Sequence, residues 1–159
     1  MNKMNGMIVA SIIGLASISQ AMVPPWYYQV LQFDAAVEAV AERYNTTDQA
    51  ADADALLVSS IVERADDTFL VTTDKAVCVV ELVVKELNNH NGKPMPIGGI
   101  PAITGKVTEC TGNKAALKTV TYEKISAKMD KAAAKGNFIL AASVNAKGTI
   151  KLTYKTKDN

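Results

Sequence analysis

The longest uncharged apolar stretch of the chain, residues 7–23, reads MIVASIIGLASISQAMV and is 17 residues long. Lys3 precedes it, proline and aromatic residues follow at 24–28, and the first carboxylate is Asp34. A bilayer-spanning helix needs roughly 17–25 apolar residues, with positive charge on the cytoplasmic side and aromatic residues at the far interface. The pattern therefore predicts a membrane anchor, although residues 19–21, Ser-Gln-Ala, also fit the cleavage site of a secretory signal.

After the prolines, the hydrophobic pattern takes a helical period. Five apolar residues recur at spacings of 3, 4, 3 and 4, namely Val30, Phe33, Val37, Val40 and Tyr44. Polar residues lie on the opposite side, which predicts an amphipathic helix of about four turns that packs through this stripe on the head of the protein. Pro24-Pro25 can start this amphipathic helix or kink it away from residues 7–23. Together the two segments predict one long N-terminal helix.

The middle of the chain contains two segments whose spacing favours helices. Residues 48–64 follow good N-cap residues and place Leu57 and Ile61 at a helical spacing, so a second helix is expected there. Residues 68–72 predict a short strand. Residues 72–89 are rich in β-branched residues, but their polar residues fall on one helical face. The periodicity favours a helix slightly, and a strand remains the alternative.

The remainder alternates turn signals with β-type patterns. Residues 88–105 are rich in proline and glycine and predict a loop. Residues 119–122 predict a strand, and residues 126–135 predict a short helix. Residues 138–144 and 149–155, joined by Asn-Ala-Lys-Gly, predict a β-hairpin.

The expected fold is therefore α+β, with a long N-terminal helix, half apolar and half amphipathic, packed on an antiparallel β-sheet head domain. Residues 1–29 form the apolar N-terminal segment, which would serve as leader, anchor or polymer core. Residues 30–159 form the globular head, which includes the amphipathic half of the helix. A chain of 159 residues has room for one such core.

Composition and charge fit a globular domain and exclude some partners. Hydrophobic residues make up 48% and charged residues 21% of the chain, and the formal net charge is +1. No basic excess indicates a nucleic-acid partner, so none is expected. Residues 1–86 hold 12 acidic against 5 basic residues, whereas residues 87–159 hold 4 against 12. Such opposite charges can complement each other within a subunit or between neighbouring subunits.

The chain offers no arrangement typical of a metal or catalytic site. Two cysteines and the single histidine, His90, give no zinc-type spacing, and the aspartates at 48, 52 and 54 lack the glycine and the closing glutamate of an EF-hand. We therefore expect no metal, no cofactor and no enzymatic activity. In an exported chain, Cys78 and Cys110 favour a single disulfide.

Three stretches occur in an order and spacing that match a known family. Residues 7–14 read MIVASIIG and are followed by a proline and by Tyr-Tyr-Gln at 27–29. Residues 70–78 read LVTTDKAVC, and residues 110–122 read CTGNKAALKTVTY. They resemble the N-terminal helix and the two disulfide-cysteine regions of type IV pilins, and within that family the type IVb branch with the bundle-forming and toxin-coregulated pilins. The resemblance ends near residue 123.

The resemblance implies a structural subunit held in the inner membrane, in a Gram-negative bacterium, before it polymerises into an extracellular pilus. Such a pilus would serve adhesion, conjugation or secretion, and the partners would be copies of the chain and the pilus assembly machinery. The stripe would pack on the head, and a Cys78–Cys110 disulfide would staple it. The residues expected to form the membrane helix and the polymer core are Met7, Ile8, Val9, Ile12, Ile13, Leu15 and Ile18.

Two features leave alternatives open. Pilins usually carry an acidic residue near the start of the mature helix, and this chain has none before Asp34, so major and minor subunit roles both remain. Gly6 and Met7 form a possible processing site. The candidate mature N-termini are Met1, Met7 and Met22. A start at Met22, after cleavage behind Ala21, would instead indicate a Sec-exported monomeric binding or inhibitor domain.

Overall fold

The computed structural model describes residues 25–44, 52–65, 67–85 and 102–155. The chain begins there with helix α1 (Pro25–Tyr44) and continues through strands β1 (Leu57–Glu63), β2 (Thr68–Thr73), β3 (Ala76–Lys85), β4 (Ala102–Gly112) and β5 (Val120–Thr121). Helix α2 (Tyr122–Ala133) and strands β6 (Ile139–Val144) and β7 (Ile150–Tyr154) complete it.

In the described part of the chain, the strands form one seven-stranded antiparallel sheet. Its order is β4-β3-β2-β1-β6-β7, and the short β5 pairs with β1 beside β6. The hairpins β1–β2, β2–β3 and β6–β7 build most of it. In the outer pair, the hydroxyl groups of Thr104 and Thr108 donate to the carbonyls of Val83 and Val79, so β4 runs opposite to β3. Neighbouring strands in sequence are mostly neighbours in space, as short connections require.

Both helices pack on the same face of this sheet. Helix α1 lies across β2 and β3, and α2 lies beside α1 and against β6 and β7. The rings of Phe33 and Phe69 meet edge to face at a centroid distance of 5.0 Å, with 77° between their planes. This geometry is the one that aromatic quadrupoles favour, and it lies at the centre of a single apolar core.

The prediction of a fold organised around one long N-terminal helix is wrong. Helix α1 has 20 residues and begins at Pro25, and it leads into a large sheet rather than standing on a small head. Proline suits the first position of a helix because its φ is already helical and its missing N–H is not needed there. The apolar residues 7–23 lie outside the described residues. The sheet is large because it contains two segments that were expected to be helical.

The first of these segments is β1, where a helix was predicted over 48–64. A β-bulge explains the error: Val58 pairs with Thr73 and Ser60 with Thr72, which leaves Ser59 as an extra residue. The bulge puts the buried Val58 and Ile61 three residues apart, whereas Leu57, which the helical spacing paired with Ile61, is 41% exposed. The strand therefore shows no period of two in its sequence.

The second segment is β3, where the periodicity of residues 72–89 slightly favoured a helix. Ala76, Cys78 and Val80 are buried and alternate with half-buried valines, so the true period is two. Thr73 accepts hydrogen bonds from the N–H groups of Lys75 and Ala76 and closes the β2–β3 turn. A threonine at the start of a helix can accept the same kind of hydrogen bond, so its presence does not distinguish a helix from a turn. The β-branched content was the better indicator.

Smaller differences concern the bounds of other elements. Strand β4 already begins at Ala102, inside the predicted loop 88–105, and helix α2 begins at Tyr122, four residues before the predicted start. Only Val120–Thr121 remain of the strand expected at 119–122. The predicted strand at 68–72, the C-terminal hairpin and the amphipathic helix over residues 30–44 are confirmed.

Helix α1 also reaches β4, and a glycine makes the close approach possible. A Cβ atom on Gly105 would lie 2.5 Å from the carbonyl oxygen of Ala35, 2.8 Å from Ala39 Cβ and 3.0 Å from Val80 Cγ1. A backbone oxygen cannot move aside as a flexible side chain can. Gly105 is therefore required by the distance between helix and sheet.

We expect Gly105→Ala to destabilise the fold by about 1–3 kcal/mol, because overpacking must push α1 away from the sheet. Gly112→Ala is the matched control: it lies in the same strand, and nothing stands within 4 Å of its added Cβ. Urea unfolding of both variants measures the difference. Equal stability of the two variants would contradict the close packing.

Candidate functional site

The candidate functional site is the seam between α1 and the sheet, since α1 directly follows the apolar residues 7–23. Along this seam Val30 is 3% exposed, and Phe33, Val37 and Val40 are 0% exposed. Tyr44, the last residue of the helix, is half-buried, and its hydroxyl lies 3.8 Å from Cys78 Sγ. All five stripe residues thus lie on the side of α1 that contacts the core.

Gln29 fixes the N-terminal end of this seam. Its side-chain Nε2 donates to the carbonyl of Ile139 at 2.6 Å, and its Oε1 accepts from the N–H of Ile139 at 2.7 Å. The side-chain amide thereby pairs with both backbone groups of Ile139 in β6, as the backbone of a neighbouring strand would. Nε2 also donates to Glu63 Oε2 at 3.1 Å, and Glu63 Oε1 pairs with Lys155 Nζ at 2.9 Å. One helix residue thus binds β6 and the end of β1.

A second polar contact joins the two helices. The hydroxyl of Tyr122, at the start of α2, donates to Asp34 Oδ1 of α1 at 2.5 Å. Tyr122 is 2% exposed, so its hydroxyl needs a partner within the protein, and Asp34 supplies it. Hydrogen bonds to a charged acceptor are short and strong.

Burial raises the pKa of Asp34 above its usual 3.8, the hydrogen bond from Tyr122 opposes this shift, and the nearby charges of Asp130, Glu38 and Asp54 reinforce it. Burial, together with the Asp34 charge, also raises the pKa of Tyr122, which therefore keeps its proton. The contact is a protonated phenol donating to a carboxyl group whose ionised form is less favoured than that of an exposed aspartate.

At the far end of the seam, the disulfide between Cys78 and Cys110 joins β3 to β4 across a sequence separation of 32 residues, with the Cα atoms 4.1 Å apart. Asn113, just after β4, donates to the carbonyl of Thr73 at 2.9 Å and so ties the end of the strand to the β2–β3 turn. This end of the sheet is held both covalently and by hydrogen bonds.

Several site residues predicted from sequence fall outside the described residues. They are the polymer-core set Met7, Ile8, Val9, Ile12, Ile13, Leu15 and Ile18, and the processing residue Gly6. Sequence reasoning did not select Gln29, Asp34 or Tyr122 as site residues. The signal for Gln29 was present, since this polar residue lies one turn before Phe33 on the buried side of α1.

Within the ranges described above, no three His, Cys, Asp or Glu side chains lie close enough together to hold a metal ion. Neither α1 nor α2 combines the length and hydropathy of a membrane-spanning helix. Comparison of the chain with family models, with curated proteins and with solved structures finds no match.

We expect Gln29→Ala to lower the free energy of unfolding by roughly 2–4 kcal/mol, because it leaves the N–H and C=O of Ile139 without partners in a buried position. Gln32→Ala, a half-buried glutamine on the same helix, is the control and should cost far less. Chemical denaturation gives both values. A loss for Gln29→Ala no greater than that for the control would refute the anchoring role.

The raised pKa of Asp34 gives a pH dependence with a definite sign. The folded state holds the proton more tightly than the unfolded state, so Asp34 favours folding most at pH values below 3.8, and this contribution is lost as the pH rises through the folded-state pKa. Asp34→Asn keeps an acceptor for Tyr122 without a charge. We expect a variant at least as stable as wild type at pH 7.

The matched variant Tyr122→Phe removes the donor and leaves the Asp34 carboxylate half-buried. It should cost about 1–3 kcal/mol at pH 7 and less near pH 4, where Asp34 is protonated more often. Thermal unfolding between pH 4 and pH 8 tests both. A decrease in stability at pH 7 for Asp34→Asn as large as that for Tyr122→Phe would contradict this account.

Proposed function

We propose that this chain is a structural subunit that assembles with copies of itself, through the apolar residues 7–23, into an extracellular filament of the type IV pilin kind. Before assembly the subunit is held in the inner membrane of a Gram-negative cell. The pilus assembly machinery is its second partner. The subunit would act by packing against its neighbours and would catalyse no reaction.

The observation that carries the proposal is the fastening of α1 to the sheet. The helix follows residues 7–23 directly, and its stripe from Val30 to Val40 is buried in the core. Gln29 binds β6, and Asp34 binds α2. Any force on the apolar segment would pass through α1 into the sheet at several points. A subunit that is held by one end in a membrane or in a polymer needs such a connection.

The order of these contacts also supports the proposal. Gln29 lies near the start of α1, so the contact nearest the apolar segment is a set of hydrogen bonds to a strand backbone. Hydrogen bonds are directional and resist sliding, whereas apolar contact alone is not directional. The stripe behind it adds the burial of apolar side chains, at about 25 cal/mol per Å² of apolar area.

Assembly itself would also be driven by the burial of apolar surface. An apolar segment that leaves a bilayer must be covered again, and copies of the segment packed together cover one another without exposing apolar area to water. A charge in such a packed region costs several kcal/mol when it has no partner. The uncharged sequence of residues 7–23 fits that environment.

We therefore expect Val9→Asp or Ile13→Asp to abolish surface filaments, because each places an unpaired carboxylate among apolar neighbours. Val9→Leu is the control and should assemble normally. Electron microscopy of the producing cells counts the filaments. Circular dichroism of the purified variants and intact mass, which detects the Cys78–Cys110 disulfide, show whether the head is folded. Normal filaments from Val9→Asp would refute the proposal.

A cut after Ala21 would leave every described element intact, because α1 begins at Pro25. This favours one competing function, a Sec-exported monomeric binding or inhibitor domain. N-terminal sequencing of the mature protein separates the two. A start at Met1 or Met7 supports the filament subunit, and a start at Met22 refutes it.

A further inference from the structure

The end of the head at which α1 begins is here called the near end. Gln29 of α1 binds Glu63, the last residue of β1, and Ile139, the first residue of β6, so these termini lie together. Because the paired strands are antiparallel, β3 and β7 also end there and β2 begins there. The opposite end, with the β2–β3 turn and the start of β1, is the far end.

Exposed apolar side chains are concentrated at the near end. Seven large hydrophobic side chains of the described residues are exposed, and five of them lie at this end. Each of the five is within three residues of the terminus of its helix or strand: Tyr27 (47% exposed), Val83 (37%), Val84 (49%), Leu140 (37%) and Tyr154 (46%). The other two, Leu57 and Leu117, lie at the far end. Single exposed apolar residues are ordinary, but a group at one end of a domain indicates a contact surface.

The near end is also rich in tryptophan and tyrosine. The chain has one tryptophan and five tyrosines, and four of these six are at the near end: Trp26, Tyr27, Tyr28 and Tyr154. Trp26 and Tyr28 are half-buried, and the other two are exposed. Such side chains combine an apolar ring with a polar tip, and they are enriched where a membrane meets water. The composition therefore fits the interfacial zone of a bilayer.

The charges at the near end do not select a lipid of one sign. Glu63 and Lys155 neutralise each other in an ion pair. The remaining exposed charges are of both signs, with Arg64, Lys85 and Lys135 basic and Asp67 and Glu81 acidic. Long basic side chains can lay their stems on an apolar surface and keep their charges among headgroups. Apolar and aromatic contact would therefore suffice on a neutral bilayer.

The covalent chain indicates which surface covers the near end. Pro24 alone separates Val23, the last residue of the apolar stretch 7–23, from Pro25, the first residue of α1. Successive Cα atoms are about 3.8 Å apart, so Val23 and Pro25 lie within about 8 Å of each other. A bilayer that holds residues 7–23 is thus next to the near end. Tethering at so short a distance gives this surface a high effective concentration for the bilayer.

We propose that the near end of the head lies on the surface of the membrane that holds residues 7–23, with its exposed tyrosine, valine and leucine side chains in the interfacial zone. The inference rests on the proposed function, because it requires residues 7–23 in a membrane. It adds that the head lies on the bilayer across the width from β3 to β7 and does not stand clear of it. The contact must be given up when the subunit enters a filament.

Single-tryptophan variants of the full chain, reconstituted into phosphatidylcholine vesicles, test the contact. Trp26→Phe removes the only tryptophan. In that background, Tyr154→Trp and Val84→Trp place one at the near end, and Leu57→Trp and Leu117→Trp place one at the far end. All four positions are exposed, and circular dichroism checks the folding of each variant. Lipids brominated in the upper part of the acyl chains should quench both near-end variants at least about threefold more than either far-end variant.

The proposal is overturned if either near-end variant is quenched no more than the far-end variants, or if all four are quenched alike. It is also overturned if the emission of Tyr154→Trp in detergent without lipid shifts to the blue as the protein concentration rises, because a second copy would then cover this surface. Flotation of the vesicles after an alkaline wash reports separately whether the chain is held in the membrane. A chain that floats without near-end quenching refutes this inference alone, whereas a chain that does not float refutes the membrane stage of the proposed function as well.

Discussion

The structure depends on the burial of one helix face against one sheet. Phe33 and Phe69 meet at the centre of that interface, and the four buried stripe residues of α1 exclude water along its length. Helix α1 covers a face of β2 and β3 that an antiparallel sheet without it would expose to water. The polar contacts of Gln29 and Asp34 add direction to an interaction that has none of its own.

The interface also explains why the seam tolerates polar groups. Gln29 is buried, yet both of its amide atoms are used by the backbone of Ile139, so little desolvation cost remains. Asp34 is only half-buried and shares its oxygen with Tyr122. The acidic groups around Asp34 come from α1, from α2 and from the segment before β1, so the electrostatic environment of this one carboxyl group depends on the tertiary fold.

Periodicity predicted the elements in which it was undisturbed and failed where a local feature altered it. The stripe from Val30 to Val40 and the C-terminal hairpin followed simple periods and were found. The bulge at Ser59 removed the period of two from β1, and Thr73 makes in the β2–β3 turn the hydrogen bonds that a helix cap also makes. Neither feature can be recognised without the pairing strand. The hydrogen bonds of Gln29 and Tyr122 join residues 110 and 88 positions apart, so no local pattern could have indicated them.

The disulfide keeps the head in one covalent piece even when the chain is cut between the two cysteines. Cys78 and Cys110 enclose the whole connection between β3 and β4, together with parts of both strands. A protease that cuts the chain once anywhere between these cysteines leaves two fragments that stay bonded to each other. Sequence changes and insertions in that connection are likewise tolerated more easily, since the strands on either side stay joined whatever its length. The connection is therefore a stretch in which the chain can vary, or be nicked, without the strands on either side coming apart.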